Sequence, residues 1–362
     1  MTCLAQIPQL GSDSTLEIAT WNVCWLGDST QGNGPSDETL QYNNVKQFCL
    51  QSNLDLFAIQ ELSNPATYYQ LNKDLPAYAS MLSDIDQVQK TALYWKKSHF
   101  KLIQAYSYTI LNDQAFNFGR APLQVCLELN NAQKDTIFFI VLHMKAYGDQ
   151  ASYNRRVNAS VGLKAYLETS LKNKKYVVLG DWNDDLNVST YQKMVTPYQN
   201  LLTAGYHFPS KELTDKGKRS YAFSKVVFDH ILHSQYIQDS LYLPNSTEVF
   251  DLAPNYIMNF SKSTSDHYPV YAKYRYQLTS NTSTGFDLNN STNTFKIYPN
   301  PTVDIIRIAD EGAPVHYQIF NSLGVLLMKG HGTFVETDKI PVGIYFIERE
   351  GYGIGKFIKQ SY

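Results

Sequence analysis

The sequence predicts an α/β domain, in which β-sheets are covered by helices, followed by a small all-β domain. Strand-like runs alternate with a few helix-like segments as far as residue 277, whereas short strand-like runs alone fill residues 294–362. Between them, residues 278–293 consist mainly of Ser, Thr and Asn, a composition typical of a linker. The chain of 362 residues, 43% of them hydrophobic, is long enough to bury one large core and one smaller core.

Runs rich in β-branched and aromatic residues predict the strands of the larger domain. They are TLEIATWNVCWL (15–26), DLFAIQEL (55–62), TALYWKK (91–97), LQVCLELN (123–130), TIFFIVLHM (136–144), KKYVVLGDW (174–182) and VVFDHILHS (226–234). One helix is predicted over residues 37–52, after an S-D-E-T start signal. A second is predicted over residues 153–171, where apolar residues recur at roughly helical spacing.

Composition excludes several classes of protein. The net charge of -2 and the sequence pI of about 6.4 provide no overall positive field for nucleic acid or an anionic membrane. A polyanionic substrate would therefore be bound by a few local cations or by a metal. No run of about 18 apolar residues exists, so no transmembrane segment is predicted. The four cysteines lack a CxxC spacing, and the apolar runs around Cys24 and Cys126 favour buried thiols over disulfide partners.

The N-terminal segment, residues 1–14, allows two interpretations. Its CLAQ stretch is similar to the small-residue end of a secretory signal whose basic and apolar parts are missing. Met1 is then an internal methionine of a longer precursor. The alternative is an ordinary N-terminus.

Several predicted strands end in carboxylate, amide or imidazole side chains, where binding sites of layered folds usually form. They are Asn22 after EIATW, Glu61 after LFAIQ, Asp181 and Asn183 after YVVLG, and Asp266 with His267 before YPVYAKY. Each residue alone could be a turn, cap or surface residue. Together they supply the hard oxygen ligands that Mg²⁺ or Ca²⁺ prefers, and a cation would keep several acids close without strong repulsion.

Three further residues favour a catalytic or binding role for this site over a purely structural one. Asp229 lies inside an apolar strand, where a buried carboxylate needs a partner such as the imidazole of His267. His143 interrupts another apolar run and is interpreted either as a satisfied core residue or as a catalytic one. Arg120 stands at a strand entry, where its planar cation could bind phosphate oxygens.

The stretch VVLGDWNDDLN contains more acids than one site needs. Residues two apart on a strand share a face, so Asp181 and Asn183 are expected to face the site and Trp182 the core. Asp184 and Asp185 are interpreted as loop or cap acids, and at best as a secondary metal contact.

The ordered set WNVCW, IQEL, GRAPLQV, VLHMK, VLGDWND, FDHIL and SDHYPV resembles the endonuclease/exonuclease/phosphatase superfamily, which includes pancreatic-type deoxyribonuclease. The resemblance covers about residues 15–275, and the catalytic domain is placed at 15–277. It implies a four-layered α/β sandwich, in which two mixed β-sheets pack together with helices outside. It also implies metal-dependent cleavage of phosphoesters.

When the family's functional residues are matched to this sequence one by one, the resemblance implies a group of metal ligands and a group of phosphate contacts. Asn22, Glu61 and Asp266 would hold one or two divalent ions, Mg²⁺ or alternatively Ca²⁺ or Mn²⁺, with Glu61 as the principal ligand. Arg120 and His143 match further phosphate contacts.

The resemblance also implies the groups that handle the attacking water. Asp181 would orient or deprotonate the water, with Asn183 holding it and the phosphate in place. His267, supported by Asp229, resembles the imidazole that contacts the scissile phosphate. Members of the superfamily differ over which of Asp181 and His267 is the base, and both assignments stay open.

The resemblance indicates the type of reaction but leaves several classes of substrate open. RSYAF followed by FDHILHS is similar to secreted bacterial nucleases and lacks the WTDR-type motif of inositol-polyphosphate phosphatases. We therefore expect an endonuclease acting on extracellular DNA or RNA. The alternatives are a sphingomyelinase-like or small-molecule phosphoesterase, for which YHFPSKEL near Phe208 is the one candidate apolar loop, and a catalytically silent surface-binding module.

The C-terminal residues 294–362 resemble the sorting domain of type IX secretion, a β-sandwich read by an outer-membrane export machinery. The resemblance rests on YPNP, VHYQIFNSLGVLL, PVGIYF and the final KFIKQ. It implies a protein that is secreted or attached to the cell surface, with that machinery as partner, and we expect a monomer. The alternative is a small carbohydrate-binding sandwich.

Overall fold

The computed structural model describes residues 6–28, 32–84, 87–106, 120–131, 133–276, 297–308, 314–321, 326–349 and 354–361. The chain divides into two compact units, Met1–Thr279 and Ser280–Tyr362. The predicted linker, residues 278–293, lies outside the described residues. At the N-terminus, Ile7 is buried and the Leu10 N–H donates to the carbonyl of Ser52 (2.8 Å), so this segment packs against the first unit.

The strands of the first unit are β1 (Thr15–Leu26), β2 (Leu56–Leu62), β3 (Tyr78–Leu82), β4 (Lys90–Lys96), β5 (Phe100–Tyr106), β6 (Leu123–Leu129), β7 (Thr136–His143), β8 (Lys175–Asp181), β9 (Asp229–His233), β10 (Glu248–Val249) and β11 (Val270–Arg275). They form two mixed sheets. The first has the order β10-β11-β1-β2-β4-β3, with β1 and β2 parallel. The second has the order β5-β6-β7-β8-β9, with β7 and β8 parallel.

The helices of this unit are α1 (Glu38–Ser52), α2 (Pro65–Asp74), α3 (Gln150–Thr169), α4 (Gln199–Thr203), α5 (Lys211–Asp215), α6 (Gln235–Ser240) and α7 (Phe260–Ser263), with a 3-10 turn at Ala253–Asn255. Helix α1 begins at the predicted signal, where the Asp37 side chain accepts from the Leu40 N–H (2.8 Å). Helix α3 begins earlier than its apolar pattern predicts, because the Asp149 side chain caps it through the Ser152 N–H (2.9 Å). None of the described helices is long and apolar enough to cross a membrane.

The two sheets pack face to face through one buried cluster. It includes Ile18 and Ile59 of the first sheet and Val141 and Leu179 of the second. These side chains alternate with outward-facing ones along each strand, as expected for sheets covered on both faces.

Helices cover the outer faces. Phe48 of α1 lies 4.8 Å, between ring centroids, from Trp21 on the first sheet. Leu163 of α3 joins Val178 and Trp182 of the second sheet in a separate buried cluster. The order of layers is therefore helix, sheet, sheet, helix, which confirms the predicted four-layered sandwich, and Trp182 is buried as predicted.

The second unit is all-β, as predicted. Its strands are β12 (Ile305–Arg307), β13 (Val315–Asn321), β14 (Leu326–Gly332), β15 (Phe334–Glu336), β16 (Gly343–Arg349) and β17 (Ile354–Lys359). They form a sheet of order β14-β13-β16-β17 and a two-stranded sheet of β12 and β15. Ile306 and Val335 from the smaller sheet are buried with Ile319, Ile347 and Phe357 from the larger. The two sheets share this core and make a small sandwich.

Candidate active site

A cleft of about 580 Å³ is lined by residues of both sheets of the first unit. The residues predicted from the strand ends line it together, namely Asn22, Glu61, Arg120, Asp181, Asn183, Asp266 and His267. The two remaining predicted residues, His143 and Asp229, contact these lining residues. The structure thus brings the whole predicted set to one place.

The second sheet aligns three of these side chains by strand register. His143 pairs with Asp181 across the parallel strands β7 and β8, and Asp181 pairs with Asp229 across β8 and β9. The residue before Asp181 is Gly180, with φ of 155°, and a Cβ there would lie 2.0 Å from the Leu142 carbonyl oxygen. Only glycine permits so close an approach of the two strands at the point where they reach the cleft.

The first sheet brings Asn22 and Glu61 to the cleft through a kink in β1. Cys24 and Trp25 have positive φ, 53° and 58°, and the register of β1 with β2 shifts there. The turned backbone donates its N–H groups to the site: Cys24 N to Asn22 Oδ1 (2.9 Å) and Trp25 N to Glu61 Oε2 (3.1 Å). Glu61 itself has φ of 63°. Both side chains are therefore oriented by local backbone geometry.

Amide donors fix the carboxylate of Asp181. The Asn183 N–H donates to Oδ1 (2.9 Å), while the side-chain amides of Asn183 and Asn22 each donate to Oδ2 (3.0 Å). Asn183 adopts a left-handed backbone (φ 55°), a conformation that asparagine tolerates better than most residues. The Asp181 carboxylate is held in one orientation by neutral groups.

Asp229 orients the imidazole of His267. The Asp229 Oδ2 lies 2.7 Å from His267 Nδ1, and His267 Nε2 lies 3.9 Å from Asp181 Oδ2. The His267 backbone is also fixed, because its N–H donates to Ser265 Oγ (2.9 Å) and its carbonyl accepts from Trp21 Nε1 (2.9 Å). With Nδ1 engaged by Asp229, Nε2 is the ring nitrogen presented toward Asp181.

His143 and Arg120 lie next to these acids. His143 is buried, and its Nε2 lies 3.5 Å both from Glu61 Oε1 and from Asp181 Oδ2. Arg120 donates through Nη1 to the Met144 carbonyl (2.8 Å) and through Nη2 to Gln89 Oε1. Its guanidinium is thereby anchored at the cleft wall, with the charge available to an anion in the cleft.

Burial dominates the electrostatics of the acids. It raises the pKa of Asp181 to about 7, although His267 opposes the rise, and it raises the pKa of Glu61. Among the described residues, the ion pairs of these two acids are with imidazoles and not with lysine or arginine. The cleft therefore holds negative charge that the protein itself compensates only in part.

The pKa values of the two histidines of the site shift in opposite directions. Burial and then the charge of Arg120 lower the pKa of His143 well below its usual value. Burial also acts to lower the pKa of His267, but Asp229 and Asp181 outweigh it and raise that pKa well above the usual value. His267 is thus the cationic imidazole of the site and His143 the neutral one.

One group of side chains here has the spacing of metal ligands among the described residues. Ligand atoms of Asp181, Asp229 and His267 lie within 4.8 Å of one another, so this group could hold an ion. However, the Asp229 and His267 atoms already form the 2.7 Å hydrogen bond described above. Glu61 and Asp266 also bring carboxylates into the cleft, and the described residues show no hydrogen bond between these two side chains.

The structure corrects the interpretation of Asp184. This acid is fully buried, and its Oδ2 accepts from Arg156 Nη2 (2.9 Å), Arg156 Nε (3.1 Å) and Ser189 Oγ (2.6 Å). It is a structural ion pair and not a secondary metal contact, because its carboxylate is already saturated and lies outside the cleft lining. Asp185 is the loop acid expected, with its side chain accepting the Asn187 N–H (2.8 Å).

The sequence interpretation missed Arg156, although a signal for its burial exists. Residues at helical spacing from it, Ser152, Ala159, Ser160 and Leu163, are small or apolar and all are buried. An arginine on such a face is buried too, and it needs a carboxylate partner.

The prediction that Cys24 is a buried thiol is wrong. Cys126 is buried, but the positive φ of Cys24 turns that residue toward the cleft, where it is partly exposed. Both are free cysteines, as predicted. Two further lining residues, Tyr147 and Thr190, gave no sequence signal because they lie in loops, which have no apolar periodicity.

Two packed mixed sheets with helices outside, and an acid-rich cleft where their strands end, define a protein of the phosphoesterase α/β-sandwich class. The chain belongs to the Endonuclease/Exonuclease/phosphatase family, whose model matches residues 19–267. Residues 296–359 match the model of the secretion system C-terminal sorting domain, which implies export to the cell surface or the medium. No curated protein matches the chain.

Solved structures share the fold of the first unit. TDP2 of D. rerio, complexed with a single strand DNA product, has 17% identity and a TM-score of 0.57, over 73% of this chain and 100% of that one. A mannosyl-6-phosphatase of Bacteroides thetaiotaomicron has 17% identity and a TM-score of 0.50, over 72% and 100%. An endonuclease/exonuclease/phosphatase family protein of the same species has 17% identity and a TM-score of 0.51, over 73% and 99%. At these identities the likeness concerns the fold alone.

Proposed function

We propose that the chain is a secreted, divalent-metal-dependent phosphodiesterase, and specifically a nuclease that hydrolyses extracellular DNA or RNA. The observation that carries the proposal is the pairing of Asp181 with an Asp-oriented His267. Their facing atoms lie 3.9 Å apart in a cleft that also contains Glu61 and Arg120. A carboxylate, a cationic imidazole and a guanidinium around one cleft are the groups that phosphoryl transfer requires.

The acids of the cleft fit a hard divalent cation. Glu61 and Asp266, with the amide oxygen of Asn22, are oxygen donors of the kind that Mg²⁺, Ca²⁺ or Mn²⁺ prefers. Burial raises the pKa of Glu61 because a buried carboxylate without a full counter-charge resists ionisation, and a cation would supply that charge. When bound, one or two such ions would neutralise the non-bridging oxygens of the substrate phosphate.

The residues of the chain would perform the proton and positioning steps. Asp181, held by Asn183 and Asn22, is positioned to accept a proton from the attacking water. The Asn183 side chain would hold that water and the phosphate. His267, fixed by Asp229, presents Nε2–H to a phosphate oxygen and stabilises the charge that develops there.

Arg120 and His143 complete the phosphate site. The anchored guanidinium of Arg120 would bind a pair of phosphate oxygens from the cleft wall. The neutral His143, at 3.5 Å from both Glu61 and Asp181, would contact phosphate as a hydrogen-bond donor and keep these two acids apart.

The choice of a diester in a nucleic acid over other phosphoesters draws on two supports. The loop around Phe208 is the candidate for docking on a bilayer. Phe208 cannot insert into lipid from there, because it is buried and its ring centroid lies 5.2 Å from that of Trp182. The C-terminal unit also implies export, and residues 294–362 would engage the type IX machinery. DNA and RNA are polyanionic phosphodiesters that an exported enzyme meets outside the cell.

A panel of substrates assayed with Mg²⁺, and again with EDTA, tests the proposal. We expect the purified full chain to degrade plasmid DNA or RNA with Mg²⁺, to lose the activity with EDTA, and to regain it when Mg²⁺ is restored. Activity confined to sphingomyelin or to a sugar-phosphate monoester would overturn the nuclease assignment. Cleavage that EDTA does not affect would overturn the metal assignment.

A further inference from the structure

Tyr147 is the most exposed large aromatic residue at the cleft. The residue is 73% exposed, and Ala146, Tyr147 and Gly148 line the same cleft as Asp181 and His267. An aromatic ring usually lies in a core, because its burial is a large source of stability. A ring exposed on a loop beside a catalytic site is available to contact a ligand.

The backbone of Tyr147 holds the ring there under strain. Its φ is 83°, a region in which a residue with a side chain is uncommon and in which glycine is at ease. The buried Arg156 fixes this conformation, because its Nη1 donates to the carbonyls of Lys145 (2.7 Å) and Tyr147 (2.9 Å). Arg156 is in turn locked by Asp184. Strain that the surroundings enforce at a cleft is typical of a functional position.

A cation accompanies the ring. The Lys145 Nζ lies 4.4 Å from the centroid of the Tyr147 ring, within the range of a cation–π contact. Burial and the charge of the nearby Arg120 lower the pKa of Lys145, so the two cations lie in one positive region. The loop therefore offers a flat π surface and positive charge side by side. A nucleotide, with a base and a phosphate, carries the complementary pair of groups.

We propose that Tyr147 and Lys145 form a base-stacking subsite for a nucleotide next to the scissile phosphate, so that the substrate is a single-stranded or unpaired nucleic-acid segment. This inference rests on the proposed nuclease function and specifies its substrate. A base inside a duplex has both faces covered by its neighbours, whereas an unpaired base can stack on a protein ring. Lys145 would bind the adjacent backbone phosphate.

A binding experiment that varies both the ring and the base tests the subsite. The full chain carrying Asp181→Asn is titrated with labelled oligothymidylate and with an abasic oligonucleotide of equal length and charge, and anisotropy gives each Kd. We expect the oligothymidylate to bind about 5- to 150-fold more tightly, the range expected for one stacked base. In the double variant Asp181→Asn/Tyr147→Gly this preference should disappear. Oligothymidylate should then bind with the same Kd as the abasic strand.

The variants are chosen to separate stacking from folding. Glycine accepts the positive φ of residue 147, so Tyr147→Gly should fold normally, and Tyr147→Trp should restore the preference. Tyr69→Ala removes an aromatic residue of similar exposure (65%) outside the cleft and should leave the preference unchanged. The subsite is disproved if the parent shows no preference for bases, or if Tyr147→Gly keeps it. Turnover plays no part in this measurement, so failure of the full chain to cleave nucleic acid would separately overturn the proposed function.

Discussion

Two buried aspartates three residues apart, Asp181 in the cleft and Asp184 behind its wall, have opposite surroundings. Asp184 accepts two bonds from one guanidinium, a third from Ser189 Oγ, and backbone N–H groups at its other oxygen. Asp181 receives amide donors and faces imidazoles, and burial raises its pKa to about 7.

The difference separates a structural charge from a functional one. A buried charge that only holds the fold needs full compensation, since desolvation costs several kcal/mol. A carboxylate that must exchange a proton, or stand beside a cation and a phosphate, is held in place but left under-compensated. The same short stretch of sequence thus holds two acids of equal burial whose removal should have contrary effects on activity and on stability.

The largest expected effect is on turnover. Asp181→Asn should lower kcat on nucleic acid by about 10³-fold or more, because the proton acceptor of the water is lost. It should change the Tm only a little, because removing a buried negative charge without a full partner offsets the hydrogen bonds that the amide –NH2 cannot accept. Initial rates with Mg²⁺ and a thermal melt of the same preparation measure both effects.

His267→Ala should cause a similar loss of turnover, together with a fall in stability because the buried Asp229 carboxylate loses its partner. Asp185→Asn is the matched control, since that acid lies four residues beyond Asp181 and outside the cleft lining, and it should keep near-normal kcat. Full activity in either Asp181→Asn or His267→Ala would remove that residue from the mechanism.

The buried ion pair should respond in the reverse way. Asp184→Asn leaves the fully buried guanidinium of Arg156 without its counter-charge, and the free energy of unfolding should fall by about 3–5 kcal/mol. Urea unfolding followed by tryptophan fluorescence measures this effect, since all four tryptophans, Trp21, Trp25, Trp95 and Trp182, lie in the first unit.

Replacing both partners, with Arg156→Met and Asp184→Leu, should restore much of that stability, because no buried charge then remains unpaired. If Asp184→Asn proves as stable as the parent, the contrast between the two aspartates does not hold.

The sequence predicted the central strands and the cleft residues because both leave a local pattern. Strand β1 has the bounds predicted for it, whereas β3 and β5, at the edges of the two sheets, were not predicted. These two strands bury less of their surface than β9, an edge strand that was predicted and is fully buried, so their sequence signal is weaker. Asp181 and His267 were found because acids and imidazoles at the ends of apolar runs are unusual.

The tertiary pairing behind the cleft wall left no comparable local pattern. Arg156 and Asp184 are 28 residues apart, on a helix and a loop, and nothing local specifies that they meet. The strained Tyr147 lies in a loop whose conformation is set by that pairing. Such features depend on the assembled fold and become visible only in three dimensions.

Acid should destabilise the first unit through a histidine that lies away from the cleft. His233 is buried in β9, and burial lowers its pKa to about 4 in the folded state, against a usual value of 6.5. The unfolded chain therefore takes up this proton as the pH falls below 6.5, whereas the folded chain takes it up only near pH 4. His233 should thus reduce the free energy of unfolding by about 3 kcal/mol between pH 6.5 and 4.

Urea unfolding at several pH values, compared between the parent and His233→Gln, measures this contribution. Glutamine cannot titrate, and the other ionisable groups act alike in both proteins, so the difference between the two stability curves should change across this pH window. Parallel curves would show that His233 does not titrate as inferred. His267, which neighbouring acids keep cationic, is the contrasting buried imidazole.

The smallest expected effect comes from an ion pair on the same helix as Arg156. Lys164 Nζ lies 2.6 Å from Glu168 Oε1, closer than the 2.9 Å of Arg156 to Asp184, yet this pair is partly exposed on α3. Water screens it and side-chain entropy opposes it, so a double-mutant cycle with Lys164→Ala and Glu168→Ala should give a coupling of only about 0.3–0.5 kcal/mol. A coupling as large as the loss in Asp184→Asn would mean that distance, and not burial, sets the strength of ion pairs on this helix. A small coupling energy, measured by the same urea unfolding, would indicate that the Arg156–Asp184 pair is strong because it is buried. In the core, water cannot solvate the Arg156 charge once its partner is removed.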